Sequence, residues 1–186
     1  MRRATLLLLT LALAGCGFLS RSKSTFYSLE RIAPATPVAA RTGTPIGIDV
    51  VELPPGFDRR DIVVRKPDLQ LEIREKQQWS ASLEEMVLHT LAFDLAARLP
   101  EGMVILPGQV RPITPTRGID LVVENFAAGP DNTVVLDARW ILREGTRETS
   151  HHEQISVPVP SLESKNVAHG FSEALATLAD RIAAAI

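Results

Sequence analysis

Apolar residues recur at two different periods along this chain, and each period predicts one kind of element. They occupy every second position from Ile119 to Val123 and from Val134 to Leu142, as in strands with one buried face. Gly129-Pro130-Asp131-Asn132 lies between these segments and supplies turn-forming residues. The pattern predicts a β-hairpin, and Thr149–Val157 is expected to pair beside it to complete an antiparallel meander.

Shorter apolar segments in the first half of the chain indicate further strands. Proline-containing stretches separate them, and the sharpest breaks are Pro54-Pro55-Gly56 and Lys66-Pro67-Asp68. The predicted strands are Thr25–Arg31, Ile46–Leu53, Asp61–Arg65 and Leu69–Arg74, and Met103–Leu106 forms a short apolar segment later in the chain.

Two segments carry the period of an amphipathic helix. The first begins with a capping box of Ser82 and Glu85 and ends before Pro100, and the second runs from Ser164 to Ile186. Their apolar stripes contain Leu83, Val87, Leu91 and Leu95 in the first helix and Val167, Phe171, Leu175, Leu178 and Ile182 in the second. The order of strands, helix, strands and helix predicts an α+β fold, with a mainly antiparallel sheet and two helices packed on one face.

The first seventeen residues have the composition of a cleaved export signal. Arg2 and Arg3 precede a short apolar run from Leu6 to Ala14, which cannot span a bilayer core of about 30 Å. The Leu-Ala-Gly sequence before Cys16 resembles the lipobox of bacterial lipoproteins. That resemblance implies a diacylglyceryl group on the Cys16 thiol, cleavage before Cys16 and acylation of the new amino terminus. An ordinary secretory signal that ends near a cysteine is the alternative.

These features predict a three-part organisation. Residues 1–15 form a lipoprotein signal peptide, residues 16–25 a lipidated tether, and residues 26–186 a single α+β domain. In enterobacterial lipoproteins, Asp after the lipidated cysteine favours retention in the inner membrane, and Gly17 occupies that position here. By this resemblance we expect the chain at the inner leaflet of the outer membrane, facing the periplasm.

The charge balance argues against a nucleic-acid partner. The chain contains 20 Lys and Arg residues and 22 Asp and Glu residues, and loss of Arg2 and Arg3 with the signal would make the remainder more acidic. A nucleic-acid-binding protein would show a basic face instead. Cys16 is the only cysteine, so an internal disulfide is excluded.

The sequence contains no pattern typical of an enzyme. His151 and His152 are adjacent on a predicted strand, so their side chains should point to opposite faces and not converge on one metal ion. His89 and His169 lie on separate predicted helices. Ser150 beside His151 lacks an orienting acid, and no glycine-rich phosphate loop is present. We therefore expect no catalytic, cofactor or metal site and interpret the paired histidines as solvated residues.

Three short motifs, in order after Cys16, resemble those of the PqiC/YmbA family of auxiliary lipoproteins in ABC-type and MCE-protein transport systems. Phe26-Tyr27-Ser28-Leu29 is similar to the family's Tyr-Tyr-x-Leu. Phe57-Asp58-Arg59 matches the aromatic and the Asp-Arg of Pro-x-Tyr-Leu-Asp-Arg, although the intervening Leu is absent. Trp79 and Leu83 match Trp-Ala-x-Pro-Leu, with Ser80 and Ser82 replacing Ala and Pro.

The resemblance implies a non-catalytic role in lipid traffic and envelope integrity. Members act with an inner-membrane permease and a periplasm-spanning MCE protein, which they are thought to dock at the outer membrane as a homo-oligomeric ring. The alternative function is a periplasm-facing lipoprotein that binds a lipid or peptide ligand in its own cavity. The volume of any apolar pocket would separate the two.

The candidate partner-binding residues are Phe57, Asp58 and Arg59. They follow the Pro-Pro-Gly break and should lie in a loop, and an aromatic beside a charged pair is typical of a binding hot spot. In the alternative interpretation, Phe57 folds back to cap the sheet while Asp58 and Arg59 brace the turn. Trp140, in contrast, is predicted to face the core.

Overall fold

The computed structural model describes residues 23–34, 43–110 and 117–186. The predicted signal peptide and Cys16 lie outside the described residues. The elements, in chain order, are β1 Thr25–Tyr27, β2 Ile46–Glu52, β3 Asp61–Arg65, β4 Leu71–Trp79, α1 Leu83–Arg98, β5 Val104–Ile105, β6 Arg117–Ala128, β7 Thr133–Glu144, β8 Arg147–Pro158 and α2 Ser164–Ala185.

The sheet is built around β6. On one edge, β6 pairs antiparallel with β7, which pairs antiparallel with β8, and this is the predicted meander. On the other edge, β6 pairs in parallel first with β2 and then, at Ala128, with Val64 of β3. Both strands thus follow the same edge of β6, and the loop at residues 53–60 bridges the gap between them.

The sheet is mainly antiparallel, as predicted, but it is mixed because several strand pairs are parallel. Besides the parallel pairing of β6 with β2 and β3, β1 is parallel to β4 and β5 is parallel to β2, whereas β3 and β4 are antiparallel. The α+β class and the longest antiparallel pairings are confirmed. The chain between β2 and β6 contains α1, and such a crossover permits a parallel pairing that local patterning does not reveal.

Both helices lie on one face of the sheet, as predicted, and pack against each other. All nine residues of the two predicted apolar stripes are buried. Phe171 of α2 stacks on Phe126 of β6, with ring centroids 3.9 Å apart, and on Trp79 of β4 at 5.5 Å. At Gly170, a Cβ atom would lie 2.6 Å from the Val159 side chain and 2.8 Å from that of Val134, so glycine permits this close approach of helix and sheet.

Ser82 caps α1 as predicted, because its side chain accepts a hydrogen bond from the Glu85 backbone N–H at 3.2 Å. The prediction that Trp140 faces the core is also confirmed, since its side chain is fully buried. None of the described helices has the length and hydrophobicity needed to cross a bilayer.

The first predicted strand, Thr25–Arg31, is shorter than expected because the chain leaves the sheet after Tyr27. Residues 28–34, which we call the strap, cross the two helices instead. The Glu30 N–H donates to Ser172 Oγ at 2.9 Å, and the Ile32 N–H donates to Asp94 Oδ1 at 3.0 Å. Helix side chains thus satisfy backbone groups that would otherwise pair in the sheet.

The predicted strand Leu69–Arg74 is also displaced, because β4 begins at Leu71 and continues to Trp79. Its last residues pair with β1, with Thr25 opposite Gln77. This pairing is long-range and leaves no trace in the local hydrophobic pattern.

Candidate partner-binding surface

The loop at residues 53–60 holds the three candidate residues outside the sheet, as predicted. Gly56 turns the chain with a φ of +87°, a conformation that glycine adopts without strain. The Phe57 N–H then donates to the Pro54 carbonyl at 3.1 Å, and the Arg59 N–H donates to the Phe57 carbonyl at 2.9 Å. The loop backbone is therefore a hydrogen-bonded turn.

The side chains of this loop combine features of both interpretations. Phe57 is half-buried, and the Arg65 guanidinium lies over its ring at 5.9 Å from the centroid. Arg59 Nη2 lies 3.7 Å from Asp61 Oδ2, whereas Asp58 is exposed. Phe57 and Arg59 thus contact the sheet, while Asp58 is accessible to a partner. Their role in binding stays a prediction.

The outer face of the sheet, opposite the helices, carries charged side chains that pair with one another. Arg143 bonds to Asp49 at 2.7 Å and lies 2.5 Å from Asp120, and Arg139 lies 3.3 Å from Glu124. The hydrogen bond to Asp49, followed by the charge of Asp120, raises the pKa of Arg143 above its usual value. Both arginines are consequently paired with acidic side chains of the same face.

The two adjacent histidines point to opposite faces, as predicted. The His151 ring stacks on Trp140 on the core side, with centroids 3.9 Å apart. On the outer face, His152 Nε2 lies 2.6 Å from Asp137 Oδ1. The two imidazoles therefore do not converge.

His152 does meet a pair of carboxylates that the sequence analysis missed. One ligand atom each from Glu124, Asp137 and His152 lies within 4.8 Å of the others, on three neighbouring strands. These residues are far apart in the sequence and meet only through the register of the paired strands. Assigning which residues pair in the meander would have predicted the cluster from the sequence. The Arg139 guanidinium already neutralises Glu124, and cation binding here is not assigned.

A second polar cluster, also missed, fastens the strap to the helices. Asp94 is buried beneath it, and Arg98 Nη1 donates to the Ile32 carbonyl at 3.0 Å while its Nε bonds Asp180 Oδ1 at 2.6 Å. Burial raises the pKa of Asp94 to about 6, and its hydrogen bond from Ile32 and the charge of Arg98 act in the opposite direction. In the sequence, this cluster could have been suspected because Asp94 and Arg98, of opposite charge, lie four residues apart in a largely apolar helix.

Two cavities lined by described residues are open to solvent. One, of about 650 Å³, lies between β4 and the start of α2 and includes Tyr27, Arg74 and Lys165. Another, of about 550 Å³, includes Pro45, Val104 and Val110. Their linings mix polar and apolar side chains, in contrast to the closed apolar pocket that would hold an acyl chain.

Comparison with known proteins gives one family match and two informative structural similarities. A sequence profile of the family described as ABC-type transport auxiliary lipoprotein component matches residues 27–183. A crystal structure of an uncharacterized protein is similar to this chain, with a TM-score of 0.74, 16% identity, and coverage of 88% of this chain and 99% of the other. A Xanthomonas campestris protein of family DUF330 has a TM-score of 0.64 and 15% identity, covering 85% and 92%. At these identities the structures show the fold alone. No curated protein matches the chain significantly.

Proposed function

Because this chain belongs to the family of ABC-type transport auxiliary lipoprotein components, we propose that it is a non-catalytic subunit of an MCE- and ABC-type lipid transport system. The family match carries the proposal, since it extends from β1 to the last turns of α2. Transport-associated proteins of this kind need an anchor and a docking surface, and candidates for both are present in the chain.

In this proposal the anchor is Cys16. Residues 1–15 are removed, residues 16–25 tether the single domain formed by residues 26–186, and the attached lipids hold the protein at the inner leaflet of the outer membrane. Each buried methylene contributes about 0.8 kcal/mol, so two or three acyl chains retain the protein for long periods.

The docking surface includes the loop with Phe57, Asp58 and Arg59, through which the protein contacts a periplasm-spanning MCE protein that works with an inner-membrane permease. The exposed carboxylate of Asp58 beside a half-buried aromatic supports this choice. A homo-oligomeric ring of such subunits would present the loop several times to one partner, and weak contacts would then combine through effective concentration.

The anchor is tested by Cys16→Ser, which removes the thiol that receives the lipid. We expect the variant to accumulate as unprocessed precursor and to incorporate no labelled fatty acid in cells. Equal labelling of the wild type and the variant would exclude lipidation at Cys16.

The docking surface is tested by Arg59→Glu, with Arg147→Glu as a matched charge reversal at the start of β8. The Arg59–Asp61 pair is half-exposed and long, so its loss should change the free energy of unfolding by less than about 1 kcal/mol. We expect a folded, lipidated protein that no longer copurifies with the MCE partner, whereas Arg147→Glu still does. Normal copurification of Arg59→Glu, or a large loss of thermal stability, would remove this loop from the interface.

A further inference from the structure

The tip of the β3–β4 hairpin combines two unfavourable features. Leu69 is 88% exposed, and it has a φ of +65°, in the left-handed region that non-glycine residues avoid. Every other positive-φ residue in the described part of the chain is an asparagine or a glycine. A leucine at this position therefore calls for an explanation beyond the turn, which the hydrogen bond from the Lys66 N–H to the Gln70 carbonyl already closes.

In β4, the strand that follows the tip, the usual arrangement of side chains is reversed, with apolar residues on the outer face and charged residues on the inner side. Leu71 and Ile73 are each 42% exposed and lie on the outer face, because Ile73 pairs with Val63, which is not part of the helix-covered core. Two charged residues of β4, Glu72 and Arg74, lie on the inner side. Arg74 donates to the Leu162 carbonyl at 2.7 Å, and Glu72 bonds Arg74 at 2.8 Å. Leu69, Leu71 and Ile73 thus form an exposed apolar strip, which we call the hairpin strip.

The direction of β1 relates this strip to the N-terminal segment. β1 is parallel to β4, with Thr25 beside Gln77 and Tyr27 beside Trp79. The chain before Thr25 consequently enters the sheet from the side on which β4 begins, which is the side of the hairpin tip.

The length of that segment fits the same geometry. Six residue steps of about 3.3 Å along β4 place Leu71 at most about 20 Å from Gln77, and hence from the neighbouring Thr25. Nine steps separate Cys16 from Thr25 and can extend over about 30 Å. A lipidated Cys16 can therefore reach past the hairpin tip, which allows the tip to lie at the membrane that holds the lipid.

We propose that the hairpin strip inserts into the interfacial region of the bilayer in which the Cys16 lipids are embedded. This inference rests on the proposed lipidation. A membrane fits better than a second copy of the chain, because three aliphatic side chains expose a few hundred Å² at most, whereas a stable protein interface needs about 800 Å² per partner. Insertion would also bury Leu69, whose exposure the turn itself does not require.

The experiment uses the full-length lipidated protein in vesicles of phosphatidylethanolamine and phosphatidylglycerol that include lipids with a nitroxide on the acyl chain. Because lipid occupies the thiol of the only native cysteine, Leu69→Cys provides a single site for a fluorophore. Thr146→Cys is the matched control in the β7–β8 turn, which lies at the opposite end of the sheet, beside the start of β6. We expect strong quenching of the label in Leu69→Cys and little quenching in Thr146→Cys.

A second variant separates insertion from mere proximity. A label at Gln70→Cys should be quenched in the otherwise native protein, and adding Leu69→Asp should reduce that quenching several-fold without changing lipid incorporation or the melting temperature. Equal quenching with and without Leu69→Asp would overturn the inference, as would an unquenched label in Leu69→Cys. Energy transfer between labels on different copies, without quenching by lipid, would identify a second copy as the occupant and would also overturn it.

The two proposals fail in different ways. If Cys16 carries no lipid, fatty-acid labelling of the wild type fails and the proposed anchor is wrong. If labelling and flotation with vesicles succeed while the label at Leu69→Cys remains unquenched, the anchor stands and only the insertion of the hairpin strip is wrong.

Discussion

The two faces of the sheet show how differently one set of strands can be used. On the inner face, Trp140 and Phe126 are buried, and Phe126 stacks on Phe171 of α2. The strand side chains alternate between the two faces, as the period of two requires. The outer face carries ion pairs such as Arg143–Asp49 and also exposed apolar residues such as Leu71.

The two faces therefore contribute differently to the free energy of folding. Burial of large apolar side chains contributes most of the favourable free energy of folding, whereas exposed ion pairs contribute about 0–1 kcal/mol each. The inner face thus determines whether the chain folds, whereas substitutions on the outer face should change the free energy of unfolding little. Substitutions at neighbouring positions on the two faces test this division.

The largest difference is expected between Trp140→Ala and Arg139→Ala, at adjacent positions on opposite faces. Removal of the fully buried indole leaves a cavity beside His151 and should lower the free energy of unfolding by about 3–5 kcal/mol. Removal of Arg139 loses a half-exposed pair with Glu124 and should cost less than about 1 kcal/mol. Urea unfolding measures both values, and comparable losses would contradict the division.

A smaller effect, dependent on pH, is expected for Asp94, the buried carboxyl group beneath the strap. Burial raises the pKa of Asp94 to about 6, from about 4 in the unfolded chain. Between these values the folded protein holds a proton that the unfolded chain has lost, so stability from this group is complete below about pH 4 and is lost as the pH rises through 6. Between low and high pH, the contribution of Asp94 to the free energy of unfolding changes by about 3 kcal/mol in total.

Asp94→Asn removes this titration and retains an acceptor for the Ile32 N–H. The variant's stability relative to the wild type should therefore be about 3 kcal/mol more favourable at pH 7 than at pH 4, as measured by urea unfolding at both values. Glu85→Gln, at an exposed position of the same helix, serves as the control. A stability difference that stays constant with pH would show that Asp94 is ionised normally.

The smallest effect is expected for His152→Ala on the outer face. The imidazole is 53% exposed, so its loss should change the free energy of unfolding by less than about 0.5 kcal/mol. Thermal melts with and without Zn²⁺ sharpen the comparison. A zinc-dependent rise in the melting temperature that disappears in His152→Ala would mean that the cluster with Asp137 and Glu124 holds a metal.

Sequence patterning predicted the parts of this fold whose contacts are local. The capped start of α1, the stripe of α2 and the hairpin around residues 129–132 all depend on residues within one element or in two consecutive elements. The loop containing Phe57 was placed correctly because Pro-Pro-Gly breaks a strand wherever it occurs.

Long-range contacts account for what the sequence did not reveal. The parallel pairing of β2 with β6 depends on a crossover, and the strap depends on acceptors at Asp94 and Ser172 far along the chain. At the candidate site, the position of the Arg65 guanidinium over the Phe57 ring could not be predicted from the spacing of the two residues in the sequence. That contact depends on the direction in which β3 runs after the loop.

The central position of β6 also determines the order in which the chain can fold. Ile46 pairs with Arg117, 71 positions later, whereas β6, β7, β8 and α2 follow one another through short connections. Contacts of low sequence separation form fastest, so we expect the C-terminal half to nucleate folding. The ribosome synthesises the N-terminal half first, so β2 remains unpaired until the C-terminal half, which contains β6, has been made. A chaperone that shields β2 during this interval would limit aggregation through its unpaired edge.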